Sequence, residues 1–262
     1  MESLRLFPAF VEELSAETGI SIDYSGCGAY EFPAPGEEWA AAVERAKRQQ
    51  EFGVDCRIEE GRLHYPSDAI VNPRDIMMAL HCACLRRGVE VVEHSDAVRF
   101  EAGGAPLVIA AGAWSSGLTV LSGGEPIVLP ESFPVKGHLL GYDLAPGSLP
   151  TILRSGHIYI LQRWNGFTVA GSNEETVGFD RHVDGAVREE LQAQAQQLWP
   201  ELKGRTPSQT WIGFRPGSRS GEPVIRRQAG TNVWLAYGHY RNGILMAPAT
   251  AKRIAGDILQ VS

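Results

Sequence analysis

No stretch of this 262-residue sequence is apolar for anything like the ~20 residues that a membrane-spanning helix needs. The opening residues, MESLRLFPAF, include Glu2 and lack the long apolar core of a secretory leader. No cluster of Lys and Arg is present and the net charge is −7, which argues against a nucleic-acid surface. A small anionic substrate remains open, because local arginines decide that. Only four cysteines occur, Cys27, Cys56, Cys82 and Cys84, with no C-x-x-C pair among them. A chain of this length needs no disulfide framework, so reduced thiols are expected. Cys82 and Cys84 point to different faces of a helical pattern, and even with His81 nearby they lack ligand spacing, so no metal site is expected. Together these absences point to a soluble cytoplasmic protein with neither membrane nor nucleic acid as partner.

What is present is the patterning of a mixed α/β protein. Residues 1–18 repeat apolar side chains near helical spacing (Leu4, Leu6, Phe10, Val11, Leu14), and Gly19 follows as a stop. Residues 20–32 read as strand, and PAPGEEW opens a helix running to about Glu51. Residues 54–66 look like short strands. Asn72 caps a helix with Pro73 in its first position, ending near Gly88. Residues 89–92 and the continuous apolar run 106–111 read as strands, the second suited to a parallel sheet. Residues 134–169 read as antiparallel strands with a tight turn at Gly166, and 187–202 as a helix. A strand at 233–236 feeds a glycine-containing turn and a last helix to about Leu259. No internal repeat or low-complexity tract occurs.

Three segments concentrate chemistry. In YGHYRNGILMAPATAKRIAGDIL, Gly238 and Gly243 let the backbone turn sharply where a buried strand passes into a helix. Such a helix N-terminus presents free N–H groups and a positive dipole end, with Arg241 at the same point. That suits a ligand developing negative charge, although a plain strand–turn–helix with a surface arginine reads equally from these residues. In WIGFRPGSRSGEPVI, Arg215 offers a planar fork that matches a carboxylate, or else a surface ion pair. In GHIYILQRWNGFTVAGSNEETVGFD, Tyr159 taken alone reads as a core aromatic on a strand.

Taken together and in order, these runs resemble the D-amino-acid oxidase superfamily of FAD-dependent oxidoreductases, and glycine oxidases most. The first matches the family's G-H-(Y/F)-R-N-G-I-L segment, the second its G-(L/F)-R-P-x-(S/T)-x-D-G-x-P pattern, and the third its Y-(I/L)-(V/L)-P-R strand pair. Weaker matches are LVIAAGAWSS, PVKGHLLGYD and FPAFVEELSAETGISIDYSGCGAYEF. Departures are Ser220 for Asp, Arg226 for Gly, Gln162 for Pro, Asn173 for Thr and His138 for Gln. The resemblance implies that Arg215 clamps a substrate carboxylate, that Tyr159 positions the substrate, and that Arg241 serves both substrate and flavin. It implies flavin contacts at Ala97, Ala111, Gly112, His239, Tyr240, Arg241, Asn242, Gly243, Ile244 and Leu245. The implied activity is oxidative deamination of a small amino acid or amine, with hydride passing to flavin N5 and oxygen as acceptor, releasing hydrogen peroxide. That would place the protein in amino-acid metabolism. All four cysteines precede residue 85, so the flavin would be held non-covalently.

The implied fold is an incomplete FAD-binding Rossmann-like layer (residues 1–19, 73–120 and 228–262) with an antiparallel β-rich substrate domain (20–72 and 121–227). It is incomplete because the family's opening G-x-G-x-x-G unit has no counterpart. Gly26-Cys27-Gly28 comes nearest, with Glu31 at the third glycine position. The stretch between Val54 and Leu63 and the EAGGA link before Pro106 are also short for the family. A rival reading is therefore a truncated, non-catalytic paralogue that binds a small carboxylate or a partner chain. A third is another superfamily member of sarcosine-oxidase type. Residues 1–262 expressed alone are expected to purify without stoichiometric FAD, because the pyrophosphate would lack its helix N-terminus. An uncovered sheet face should lower solubility or drive dimerisation. A visible absorption spectrum of a monodisperse preparation checks this, one flavin equivalent being the contrary result.

Overall fold

The computed structural model describes residues 2–95 and 98–261. Along the chain, α1 (Glu2–Thr18) leads to β1 (Tyr24–Ser25), β2 (Ala29–Phe32), α2 (Trp39–Glu51), β3 (Arg57–Glu59), β4 (Arg62–Tyr65) and β5 (Ile70–Val71). Next come α3 (Pro73–Arg86), β6 (Arg99–Ala102), β7 (Leu107–Ile109), β8 (Thr119–Ser122), β9 (Glu125–Pro126) and the long β10 (Ser132–Asp143). Then follow β11 (Ile152–Ser155), β12 (Ile158–Gln162), β13 (Phe167–Gly171), α4 (Gly185–Leu198), β14 (Gln209–Ser218), β15 (Val224–Arg227), β16 (Val233–Tyr237) and α5 (Gly243–Val261). The chain is thus a mixed α/β structure.

An eight-stranded sheet in the order β14-β10-β13-β12-β11-β2-β4-β3 forms its largest layer. Every neighbouring pair in it is antiparallel except β11 with β2. Side chains alternate across a strand, and β12 shows the consequence. Ile158, Ile160 and Gln162 are buried on one face, while Tyr159 and Leu161 lie half-buried on the other. The first face packs under α4, where Leu140, Tyr142, Ile160 and Ala170 meet Leu191, Ala195 and Trp199. The second face is left free to line a site. Gln162 takes the place of an expected proline because its amide is fully used there. Its Nε2 donates to Ala145 O, Ser148 Oγ, Gly166 O and Thr168 Oγ1, and its Oε1 accepts from Leu149 N.

The second layer is small and partly parallel. In the sheet β15-β16-β7, the apolar run at 107–109 pairs in parallel with 233–235, Ile109 opposite Leu235. Ile109, Val233 and Leu235 are buried together with Val120. Helix α1 packs against α3 through Phe7, Val11, Leu14, Ile76 and Ala79, and Ser3 Oγ accepts from Ala249 N of α5 at 3.3 Å.

Three expectations are corrected. Residues 89–92 form no strand: β7 is the edge of its sheet, and Val89, Val91 and Val92 stay 50%, 40% and 69% exposed. Among the described residues no strand offers them a ladder, and the Val89 N–H instead donates to Cys84 O at the end of α3. Residues 20–32 are two short strands rather than one, because Gly28 turns through φ +67° and donates its N–H to Asp68 O. Helix α4 ends at Leu198, not 202. Pro200 has no N–H to continue the ladder, and a 3-10 turn over Pro200–Leu202 follows.

Ile160 is fully buried between the sheet and α4. Ile160→Ala should cost about 3 kcal/mol from lost burial and the cavity left behind. Chemical denaturation should show a lower midpoint with an unchanged m-value.

Candidate active site

The free face of the large sheet carries Arg215 and Tyr159. Arg215 of β14 stands opposite Val135 of β10, and its guanidinium folds back over the neighbouring Gly137. A Cβ at Gly137 would lie 2.5 Å from both terminal guanidinium nitrogens, so only glycine lets the side chain lie there. Nη1 donates to Asn173 O at 3.2 Å and Nη2 donates to the Ser172 hydroxyl. Among the described residues no carboxylate forms an ion pair with it. Burial, and then the charge of Arg241, lower the Arg215 pKa from its ordinary value. A desolvated cation that hydrogen-bonds only neutral groups is a receptor for an anion.

Tyr159 stands on β12 opposite Gly171. Burial raises its pKa, against a smaller lowering from Arg215, Arg241 and Arg163, so its hydroxyl is a protonated donor at neutral pH. Arg241 lies in the short 3-10 turn Tyr240–Asn242 that feeds α5. Its Nη1 meets Glu174 Oε1 at 3.0 Å and its Nη2 donates to His157 O at 3.4 Å. Tyr240 is held at φ +51°. Burial alone would raise the Glu174 pKa, but the Tyr240 hydroxyl, Arg241 and Arg215 outweigh it and leave the carboxyl below its ordinary value.

Arg215, Tyr159, Tyr240, Arg241, Gly243 and Ile244 line one cavity of about 240 Å³. Tyr159, Arg241 and Ile244 also line a neighbouring cavity of about 620 Å³, walled by Phe7, Leu139, Leu161, Val169, Trp211 and Leu245. The three arginine and tyrosine side chains singled out from separate motifs thus share one concavity. Arg163 also lines the larger cavity. Burial lowers its pKa, only partly offset by Asp23, Tyr159 and Asp75.

The segment after β13 that carries Ser172, Asn173 and Glu174 is tied to β10 from the opposite face of the sheet. Lys136, 2% exposed, pairs with Asp180 at 2.6 Å. The His138 ring is fully buried, and its Nε2 accepts from Asp184 N at 3.0 Å. That leaves the proton on Nδ1, facing Asn173 Oδ1 at 3.2 Å and Glu175 Oε2 at 3.1 Å. The histidine found where glutamine was expected therefore performs an amide's work, donating at one end and accepting at the other.

The parallel strands β7 and β16 end at the same edge, the place where open α/β sheets bind ligands. There Ala111 and Gly112, with φ +57° at Gly112, emerge beside the turn at Gly238, φ +80°. Asn242, Ile244 and Leu245 line the larger cavity. Ile244 and Leu245 stay 48% and 42% exposed, an unusual state for large apolar side chains in a recess. An apolar wall, a helix N-terminus and space for a planar ring fit the isoalloxazine end of FAD. His239 lines neither cavity: its Nε2 faces Thr250 Oγ1 at 3.0 Å, and burial lowers its pKa. Ala97 lies outside the described residues.

A family model described as FAD dependent oxidoreductase matches residues 2–256. The chain belongs to this family of FAD-dependent oxidoreductases. A glycine oxidase of Pseudomonas aeruginosa is 39% identical over 173 residues, 65% of this chain and 46% of that relative. The bifunctional protein ThiO/ThiG of Trichormus variabilis is 30% identical over 98% of this chain and 43% of its own length. The chain thus spans about half the length of the curated relatives it matches. Among solved structures, the glycine oxidase of Geobacillus kaustophilus superposes with a TM-score of 0.88 over 99% of this chain and 78% of that one, at 23% identity. That establishes the shared fold.

Within this member of the family, sequence reasoning passed over Gly137, Ser172 and Glu174. Each stood inside a quoted motif, but their importance comes from cross-strand contacts that no local pattern displays. Gly137→Ala should keep the fold, seen in an unchanged far-UV spectrum, while pushing the Arg215 guanidinium off its seat. Calorimetric titration with acetate should show binding weakened by about tenfold or more, the order expected when one charged hydrogen-bond geometry is lost.

Proposed function

We propose that this chain carries the substrate site of a flavin-dependent oxidase acting on a small amino acid, with oxygen as electron acceptor and hydrogen peroxide released. The observation that carries this reading is the unneutralised Arg215 guanidinium, seated beside Tyr159 in a cavity that opens toward the α5 N-terminus. We assign residues 1–19, 73–120 and 228–262 to the flavin side, and 20–72 and 121–227 to the substrate side. The rival of a non-catalytic remnant is not favoured, since the unpaired cation and its glycine seat are intact.

In this reading Arg215 takes the substrate carboxylate with two parallel hydrogen bonds, and the Tyr159 hydroxyl donates to the same group. Both side chains are fixed by the sheet, so the substrate is oriented before reaction. Asn242, Gly243, Ile244 and Leu245 would hold the flavin ring, which when bound supplies the hydride acceptor. The first-turn N–H groups of α5 and the positive end of its dipole favour negative charge developing in front of them. Glu174 is ionised and paired, so it is no proton acceptor for the amine. Orientation and electrostatics carry the work instead.

The test compares substrates. In a flavin-loaded preparation, Arg215→Ala should lower kcat/KM for amino acids by about 3 kcal/mol or more, as loss of one member of a buried charge pair does. Amines without a carboxylate should change far less. Arg215→Lys should recover only part, because an ammonium lacks the planar fork. An equal loss for both substrate classes would overturn the carboxylate role.

A further inference from the structure

Two guanidiniums, Arg215 and Arg241, line the smaller cavity, with one carboxylate beside it that is not shared equally. Glu174 Oε1 lies 3.0 Å from Arg241 Nη1, while Arg215 donates only to Asn173 O and the Ser172 hydroxyl. The two arginines are near enough for the charge of Arg241 to depress the Arg215 pKa. Glu174 does not line the cavity that Arg215 lines. It lines a neighbouring recess of about 410 Å³ together with Tyr240, so its only direct ionic contact with the site is through Arg241, while its charge reaches Arg215 at longer range. The left-handed backbone at Tyr240, φ +51°, brings that hydroxyl toward the same carboxylate.

Charge counting then separates two designs. Two free guanidiniums on one small cavity would present two positive charges and favour a dicarboxylate. With Glu174 ionised and paired, the cavity presents one. We propose that Glu174 is a specificity-determining positioning residue: by occupying Arg241 it leaves Arg215 as the one guanidinium without an ion pair in the smaller cavity and dedicates that cavity to substrates with a single carboxylate. This rests on the reading of Arg215 as the carboxylate anchor. The pair is part-exposed, 35% and 38% by side chain, so it contributes little to fold stability and can be altered without unfolding the protein.

The experiment titrates acetate and malonate into the protein by calorimetry, for the wild type, E174Q, E174D and R215A. The wild type should bind acetate at least as tightly as malonate. E174Q should strengthen malonate by about tenfold, the scale of one unscreened charge at a part-exposed site, and acetate by much less. E174D should stay near the wild type, because it keeps the charge. In an R241Q background, E174Q should no longer change the malonate-to-acetate ratio, an outcome that a purely structural role for Glu174 would not produce. An unchanged ratio in E174Q, with acetate still abolished by R215A, overturns this proposal and leaves the anchor standing. Acetate binding that survives R215A overturns the anchor, and this proposal with it.

Discussion

The guanidinium of Arg215 lies across the backbone of a neighbouring strand with no anion opposite it, and the rest of the site is arranged around that constraint. Lying flat requires a strand with no side chain at the crossing point, which Gly137 supplies. It requires acceptors that do not neutralise the charge, which Ser172 and Asn173 supply. It requires a rigid platform, which the ten-register pairing of β10 with β14 supplies. A buried cation with no partner is costly. A fold that keeps one has a use for a ligand that completes it, which is why the arrangement speaks for binding rather than stability.

The opposite face of the same sheet explains how the Ser172–Glu174 segment stays in place. Lys136 and His138 alternate with Val135 and Gly137, so they point away from Arg215, toward α4 and the chain that follows β13. Their bonds to Asp180, Asn173 and Asp184 anchor that chain from below. One strand, β10, thus seats the arginine on one face and, from the other, holds the chain that carries the groups contacting it. The catalytic side needs no long loop, and the geometry inherits the stiffness of a central strand.

Much of this was legible in the sequence, and the reasons for the rest are physical. The run at 106–111 reads as a buried parallel strand because continuous apolar character suits burial on both faces. Its strand, 107–109, does pair in parallel with 233–235, yet Val108 is 40% exposed, so only one face of it is buried. Arg215, Tyr159 and Arg241 could be named because each stands in a motif whose spacing is local. Gly137 and Glu174 could not, since a glycine's role under an arginine 78 positions away depends on register, and register is set by the whole sheet. The strand expected at 89–92 failed for the same kind of reason. Its residues have the right composition, but a strand is made by its partner, and β7 presents an edge to which none of the described residues binds.

Net charge is a poor guide to what this molecule recognises. The chain carries seven more acids than bases, yet the only charge left unbalanced on the free face of the large sheet at this cavity is positive. Most other cations near the sheet are consumed: Arg154 by Glu31 and Asp68, Arg45 by Glu31 and Glu37, Lys136 by Asp180. Pairing those leaves an acidic surface that repels bulk anions at long range, while Arg215 and Arg163, whose pKa values burial lowers, stay without an ion pair among the described residues. Glu174, meanwhile, is committed to Arg241. Affinity for a carboxylate then depends on geometry at contact rather than on long-range attraction.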